Sequence, residues 1–246
     1  MTVPEPLITV LDTCPSTSSE FSAPGECPHG AVIATREQTA GRGQRGNSWE
    51  AEPGKNLTFS ILLRPAALLA ARQFELSMVV SLAIADAIDA LLPEGVKTAV
   101  KWPNDIYIGN EKVCGILIEN RLSGPYIDSS IAGIGININQ RRFLSDAPNP
   151  TSVILHNGGV ENSLGECLRD VCNRILAGWA RYEENHDAAT LKRNYFARLI
   201  WTRGEHPFSD ADGPFMARIT DVDSDGTLHL SNGRRYAFKE VAFRIW

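Results

Sequence analysis

The chain has 246 residues and a formal net charge of −5. Hydrophobic residues make up 43% of it and charged residues 22%, which is typical of soluble globular proteins. This length allows one large domain, or a large domain with a small one, and a sizeable core. The negative charge argues against a general nucleic-acid binder, so binding of an anion would require a local basic patch.

The cysteines and the apolar runs bear on the cellular compartment of the protein and on whether it crosses a membrane. An odd number of cysteines, five, without a C-x-x-C pair argues against a disulfide framework or a structural zinc site. We therefore expect a reducing, cytoplasmic location. The start of the chain shows no basic segment followed by an apolar run, so no secretory signal is visible. The longest apolar run is interrupted by Ser81, and we expect no membrane-spanning helix and no membrane partner.

The first half of the chain alternates strands with one helix. Apolar runs rich in β-branched residues predict buried strands over 30–36 and 56–63. Apolar residues then recur at spacings of three and four over 70–92, which predicts a helix ended by Pro93. Further strands are predicted over 98–101, 112–119 and 127–137.

The second half is helical and then changes character. Ser163 and Glu166 have the spacing of a capping box, which predicts a helix from there to about Asn185. Another helical segment is expected over 188–198. Alternating runs over 215–221, 227–231 and 235–238, separated by SDG and NG turns, predict a small all-β module. We place the domain division between 1–198 and 199–246.

The stretch Ala40–Trp49, AGRGQRGNSW, lies between two predicted strands. Its glycines offer free backbone N–H groups, and its guanidinium groups can bind phosphate or carboxylate bidentately. It lacks the G-K-[ST] ending of a P-loop, and no helix follows it directly. Chemistry alone leaves open whether it is an anion clamp or a flexible hairpin loop.

Further candidates lie at strand ends and at glycines within strands. KWPND places Lys101, a tryptophan and Asp105 around a turn, which turn chemistry alone could also explain. Lys112 begins the strand KVCGILIE, and a lone lysine is usually solvated. Gly115 and Gly133 interrupt β-branched strands, where a missing side chain leaves room for a ligand or only for strand packing.

The sequence shows no convincing metal site made of protein side chains. DVDSDG at 221–226 resembles the start of a calcium loop, but Asn232 stands where a bidentate glutamate is needed. A hairpin turn with solvated acids is the better interpretation. Cys167 and Cys172, five residues apart on a predicted helix, are interpreted as buried packing residues.

Taken in order, these segments resemble the biotin–protein ligases. The resemblance rests on STS (16–18), GRGQRGNSW (41–49), KWPND (101–105), KVCGILIE (112–119) and GIGIN (133–137). It implies an α+β fold with a mixed, mostly antiparallel sheet and packed helices, like that of class II aminoacyl-tRNA synthetases and biotin–lipoate ligases. The C-terminal module would be a small SH3-like β-barrel, and 1–198 would bind biotin and ATP.

The resemblance also implies a reaction and its residues. Biotin would be activated by ATP and Mg²⁺ to biotinyl-5′-AMP and transferred to a lysine of a biotin carboxyl carrier protein or domain. The implied catalytic residues are Arg42, Lys112 and Asp105, with Asp105 assisting the acceptor amine or the magnesium ion. Residues implied to bind biotin are Ser16, Thr17, Ser18, Gln38, Arg42, Gly43, Gln44, Lys112, Gly115 and Gly133. Residues implied to bind ATP and the adenylate are Arg42, Arg45, Trp49, Lys112 and Asn137, with Trp49 covering the adenine.

Two letters depart from the family pattern. Ser18 stands where the family has asparagine, and Gln44 stands where it has a second arginine. Because glutamine carries no charge, one electrostatic contact to the acyl-phosphate is weakened, and the adjacent Arg45 could compensate. We predict that Gln44→Arg tightens retention of biotinyl-AMP.

The resemblance leaves two other functions open. Lipoate ligases share the catalytic architecture, and a non-catalytic sensor of biotin or nucleotide could use the same cavity. Because the Ser-Thr element comes by residue 16, we expect a monofunctional ligase without an N-terminal DNA-binding domain and without DNA as a partner. Homodimerisation is left open.

Overall fold

The computed structural model describes residues 5–21, 27–43, 49–144 and 148–245. Within these ranges, seven strands form one large sheet. They are β1 (Leu7–Cys14), β2 (Ala31–Gln38), β3 (Leu57–Leu63), β4 (Thr98–Lys101), β5 (Asp105–Ile108), β6 (Glu111–Ser123) and β7 (Tyr126–Ile136).

The order across the large sheet is β1-β2-β3-β7-β6-β5-β4. β1 pairs with β2 in parallel, and every other neighbouring pair is antiparallel. This confirms the mixed, mostly antiparallel sheet. The expected strand 112–119 is longer than predicted, and the strands β1 and β5 were missed. β5 escaped the sequence analysis because it is only four residues long and its first residue, Asp105, is the last letter of KWPND.

Helices supply most of the remaining core. They are α1 (Phe74–Asp89), α2 (Val153–His156), α3 (Leu164–Asn185) and α4 (Ala188–Arg198). α1 and α3 pack against each other and against the large sheet. The predicted 70–92 helix is shorter than expected, because a 3₁₀ turn at Ala70–Arg72 precedes it and Ala90 is its C-cap.

The start of α3 corrects one detail of the prediction. Ser163 is its N-cap residue, as expected, but the Ser163 side chain makes no capping hydrogen bond. The capping box is therefore wrong as an interaction although it located the helix. Asp187 does cap α4, because its side chain accepts from the backbone N–H of Thr190.

The residues after α4 build a small module, here called the C-terminal module. Within the described ranges it contains two three-stranded antiparallel sheets. Their strands are β8 (His206–Asp210), β9 (Gly213–Ala217), β10 (Ile219–Val222), β11 (Leu228–Leu230), β12 (Arg235–Tyr236) and β13 (Ala242–Phe243). The predicted run 215–221 is divided between β9 and β10, and β8 and β13 were missed.

The C-terminal module packs against the KWPND turn. The indole of Trp102 is buried, and its Nε1 donates to the backbone carbonyl of Gly226 at 3.0 Å. The ring of Phe238 lies 5.4 Å from the Trp102 ring and 5.8 Å from the Phe74 ring, between centroids. Aromatic contacts therefore join the module to α1 and to the end of β4.

No helix among the described residues has the length and apolar character needed to cross a membrane.

Candidate active site

A cavity of about 820 Å³ lies over the glycines of β6 and β7. Side chains alternate along a strand, so Ile134 and Ile136 join the core while Gly133 and Gly135 lie on the other face. The cavity brings together most of the predicted site residues: Ser16, Thr17, Ser18, Gln38, Arg42, Gly43, Trp49, Asp105, Lys112, Gly115, Gly133 and Asn137. Gln44 and Arg45 lie outside the described residues.

Strand register explains why distant motifs meet in this cavity. Thr58 on β3 pairs with Gly135, which pairs with Gly115 on β6. Gly115 pairs with Asp105 on β5, and Asp105 pairs with Lys101 on β4. Directly opposed residues of antiparallel strands project to the same side of a sheet. One row across five paired strands thus carries polar groups at both ends and glycine in the middle.

One end of the cavity is polar and uncharged. The backbone N–H of Thr17 donates to Oε1 of Gln38 at 2.8 Å. The Thr17 hydroxyl lies 2.8 Å from the Ser60 hydroxyl and 3.3 Å from the same Gln38 oxygen. Since Ser60 pairs with Gly133 across the sheet, these groups lie beside the first glycine of GIGIN. This end can give and accept hydrogen bonds without a net charge.

Arg42 lies beside this polar end. Its Nη2 donates to the Ser18 hydroxyl at 2.8 Å and lies 3.9 Å from a carboxylate oxygen of Glu119. About half of the Arg42 side chain is exposed to solvent, at 52%. Arg42 therefore lines the cavity, and its contacts in this structure are with Ser18 and Glu119.

The other end of the cavity carries positive charge. Lys112 Nζ lies 2.8 Å from Asp105 Oδ1, and Lys101 Nζ lies 3.8 Å from Asp105 Oδ2. Two ammonium groups share one carboxylate, which holds them in place and leaves a net positive charge. The Lys101 ammonium also lies 5.8 Å from the centre of the Tyr107 ring. Burial, and then the Asp105 charge, raise the pKa of Tyr107 above its ordinary value, so its phenol stays protonated.

Trp49 lies directly on the glycines of the sheet. A Cβ atom added to Gly135 would approach Cε2 of Trp49 to 2.3 Å, and one added to Gly115 would approach Cζ3 to 3.0 Å. The Lys112 ammonium lies 5.7 Å from the centre of an indole ring of Trp49. Only residues without a side chain can lie under this indole, which explains the glycines.

Asn137 follows the glycines at the end of β7. Its side chain is buried, and its Nδ2 donates to the Thr151 carbonyl at 2.9 Å. Among the described residues, no donor reaches its buried Oδ1 atom. A buried acceptor without a partner costs about 1–3 kcal/mol, so Oδ1 is well suited to receive a donor from a ligand.

The sequence analysis missed several cavity residues. Gly135 is the closest to Trp49, whereas a Cβ on Gly133 would meet its nearest atoms, Leu117 O and Ser60 Oγ, at 3.5 and 3.6 Å, which is ordinary contact. The period of two along GIGIN could have identified Gly135, since it shares the face of Gly133. No local signal indicated residues 238–243, here called the rim, of which Phe238, Lys239, Val241, Ala242 and Phe243 line the cavity.

Among the described residues, no group of three or more His, Cys, Asp or Glu side chains is placed to hold a metal ion.

The fold and the cavity define a small-molecule site with an uncharged polar end, a cationic end and, between them, a floor of strand glycines, Gly115, Gly133 and Gly135.

Comparison with protein families finds a match: residues 12–137 match the Biotin/lipoate A/B protein ligase family. The biotin–[acetyl-CoA-carboxylase] ligase of Paracoccus denitrificans is 43% identical over 209 residues, covering 83% of this chain and 81% of that protein. The bifunctional ligase/repressor BirA of Bacillus spizizenii is 35% identical over 230 residues, 90% of this chain and 67% of that protein.

A solved structure has the same fold. The biotin protein ligase of Aquifex aeolicus, in complex with biotin and ATP, superposes with a TM-score of 0.76 over 98% of this chain and 99% of that one, at 24% identity. This chain belongs to the biotin/lipoate protein ligase family.

Proposed function

We propose that the chain activates biotin with ATP and transfers it to a lysine of a biotin carboxyl carrier domain. A carboxylate oxygen of biotin attacks the α-phosphorus of ATP, the bond to the bridging oxygen breaks, and pyrophosphate leaves. The neutral amine of the carrier lysine then attacks the acyl carbon. AMP leaves with the electrons of the acyl C–O bond, and the new amide nitrogen loses a proton. The relatives' names and the cavity's chemistry both support this reaction.

The observation that carries the proposal is the division of one cavity into an uncharged polar end and a cationic end. Biotin has a ureido ring with N–H donors and a carbonyl acceptor, and at its other end a carboxylate. The hydroxyl groups of Thr17 and Ser60 and the amide of Gln38 match the ring. The lysines across the glycine floor match the carboxylate and the phosphate it attacks. The dithiolane of lipoate has no hydrogen-bond donor for this polar end.

Lys112 is proposed to hold the reacting groups. Two anions must approach each other in the first step, and negative charge builds up on the oxygens around the α-phosphorus. A fixed ammonium group at that point stabilises the transition state more than the separated substrates. Arg42 and Gly43 would join Lys112 on the carboxylate and phosphate after the Arg42 guanidinium leaves Ser18.

Asp105 holds Lys112 rather than a metal ion. A carboxylate shared by two ammonium groups at 2.8 and 3.8 Å does not fit a magnesium ligand. Mg²⁺ is expected to arrive on the phosphates of ATP, where it neutralises charge. Asp105 fixes the position of the Lys112 ammonium, and its negative charge also attracts the side chain of a carrier lysine that approaches the site.

Trp49 and Asn137 are proposed to bind the adenine. The Trp49 indole offers a flat apolar surface for stacking, and the unpartnered Oδ1 of Asn137 offers an acceptor for the adenine amino group. Both lie at the end of the glycine floor away from Thr17, along the direction Gly133, Gly135, Asn137.

The remaining parts of the proposal concern the setting of the reaction. We propose an acetyl-CoA carboxylase carrier domain as the acceptor, as the relatives' names suggest for those proteins. The described cysteines are all unpaired, which supports a reducing cytoplasm. The division at 1–198 and 199–246 and the absence of a DNA role stay predictions, and homodimerisation is left open.

Two measurements test the function. Exchange of labelled pyrophosphate into ATP is expected with biotin and not with lipoate, and equal exchange with lipoate would favour the other ligase class. Labelling of a purified carrier domain on one lysine, dependent on both ATP and biotin, is expected in the second step. Binding of biotin or ATP with neither exchange nor labelling would show a sensor instead.

A further inference from the structure

The rim is held in place on both sides of Lys239. On one side the Phe238 ring packs against Trp102 and Phe74. On the other side Val241 is buried, and the Phe243 ring lies 5.2 Å from the Trp201 ring, between centroids. Packing therefore anchors the chain on both sides of Lys239.

Lys239 has a backbone conformation that residues with a side chain rarely adopt. Its φ angle is 85°, in the left-handed region where glycine is the usual residue. Residues held in such conformations concentrate at functional sites, where the side chain has a use that a glycine could not fulfil. A lysine at this position keeps a cationic side chain at the wall of the cavity.

Lys239 also differs from the other lysines in its charge environment. Within the described part of the chain, no hydrogen bond or ion pair to its ammonium is found, and the residue is exposed. Each of the other lysines has a carboxylate within 4.0 Å: Lys55, Lys97, Lys101, Lys112 and Lys192. Its positive charge is therefore available to a ligand.

The cations deeper in the cavity are already partly neutralised. Asp105 is shared by Lys101 and Lys112, and Glu119 lies beside Arg42. The α-phosphate reacts near Lys112 in the proposed function, whereas the β- and γ-phosphates extend away from that centre and carry most of the triphosphate charge. Besides the Mg²⁺ that is expected to accompany ATP, the rim offers them a further positive charge, because it brings an unpaired ammonium to the cavity wall.

We propose that Lys239 binds the terminal phosphates of ATP, the pair that leaves as pyrophosphate, from the C-terminal module. This inference rests on the proposed function and adds a residue to it. A charge-assisted hydrogen bond from the Lys239 ammonium to these phosphates contributes to ATP affinity and stabilises the leaving group. It contributes nothing to the affinity for AMP or for biotin, which lack the terminal phosphates.

Lys239→Gly is the test variant, because it removes the charge and keeps the left-handed backbone conformation without the cost that a side chain imposes. The variant is expected to be at least as stable as the parent chain in thermal unfolding. In the biotin-dependent exchange assay, its KM for ATP is expected to rise about tenfold, which is the lower end of the effect expected for loss of one hydrogen bond between charged groups. Its KM for biotin and its inhibition by AMP are expected to be unchanged, and Lys239→Arg is expected to restore ATP affinity.

Transfer of biotin from synthetic biotinyl-5′-AMP to the carrier domain distinguishes binding of ATP by Lys239 from contact of Lys239 with the carrier. The Lys239→Gly variant is expected to transfer at the parent rate. A KM for ATP within twofold of the parent value would overturn the proposal. Slower transfer with normal exchange would also overturn it, and would show that Lys239 contacts the carrier. If the parent chain itself shows no biotin-dependent exchange, the proposed function fails, which is a different result from either.

Discussion

The floor of the cavity and its rim are held in place by different forces. The floor consists of strand residues such as Gly115, Gly135 and Asp105, whose positions are set by backbone hydrogen bonds across paired strands. The rim, residues 238–243, is largely outside regular structure and is held by aromatic contacts to Trp102 and Phe74. Ladder bonds fix register to one residue, whereas ring contacts tolerate small shifts.

This difference separates the roles of the two regions. A group that must meet a developing charge has to be fixed before the reaction, and in the proposed function Lys112 is such a group, held on the floor by Asp105. A group that only holds a leaving fragment can lie on a more adaptable segment. We therefore expect substitution of the charged floor residues Lys112 and Asp105 to lower the rate of chemistry, and rim substitutions to change ATP affinity and the stability of the module.

The largest effect is expected from Lys112→Ala on the floor. Loss of one fixed donor at a developing negative charge costs about 100- to 1000-fold in rate, so biotin-dependent pyrophosphate exchange should fall by that factor. Lys55→Ala is the matched control, because Lys55 pairs with Glu161 at the surface, at 3.4 Å. A loss of less than tenfold in Lys112→Ala would show that the floor does not supply the reacting cation.

The contact between rim and floor is broken most directly by Trp102→Ala. This substitution removes a buried indole and leaves the Gly226 carbonyl without its donor, so the free energy of unfolding should fall by about 3–5 kcal/mol. Trp102→Phe keeps a ring against Phe238 and loses the hydrogen bond, for an expected cost of about 1 kcal/mol. Urea unfolding measures both. Equal costs would mean that the rim does not depend on aromatic packing.

Gly135→Ala tests how closely the floor is fitted to Trp49. Its Cβ would lie 2.3 Å from the indole, so the ring has to move, and overpacking of this kind costs about 1–3 kcal/mol. The KM for ATP should rise about tenfold. Gly133→Ala is the control for this readout, because its Cβ would have only ordinary contacts, whatever it does to biotin. A similar rise in the KM for ATP in both variants would contradict the assignment of Gly135 to the nucleotide end.

These glycines also show how much of the site the sequence could predict. Motif spacing identified the floor, because strand alternation and register are encoded locally in KVCGILIE and GIGIN. It singled out Gly133 and passed over Gly135, since the location of the Trp49 indole depends on how a distant loop lies on the sheet. The rim could not be predicted. A lysine with a left-handed backbone has no sequence signature, and Trp102 and Phe74, which pack against Phe238, are remote from the rim in the chain.

Asp105→Asn removes charge from the floor while keeping its shape. The Lys112 ammonium loses its partner at 2.8 Å, and at least one half-reaction should slow by about tenfold or more. Pyrophosphate exchange reports the first half-reaction, and transfer from biotinyl-5′-AMP to the carrier reports the second. If both rates stay within tenfold of the parent, Asp105 neither positions Lys112 nor assists the acceptor amine. Asp12→Asn, on an exposed edge strand, serves as the control.

The smallest effect concerns the stability at acid pH of the contacts that α1 makes with β4 and α4. Burial alone would raise the pKa of Asp89, but hydrogen bonds from Thr98 and Arg198 outweigh it, and the folded-state pKa lies below its ordinary value of 3.8. These bonds join α1 to β4 and α4. Because the pKa is depressed on folding, the Asp89 charge contributes stability above pH 3.8, and this contribution is lost as the pH falls through the lower folded value. Urea unfolding between pH 6 and pH 3 should therefore show a steeper loss for the parent chain than for Asp89→Asn, with Asp12→Asn following the parent. Parallel curves would show that the contacts of α1 with β4 and α4 do not depend on the Asp89 charge.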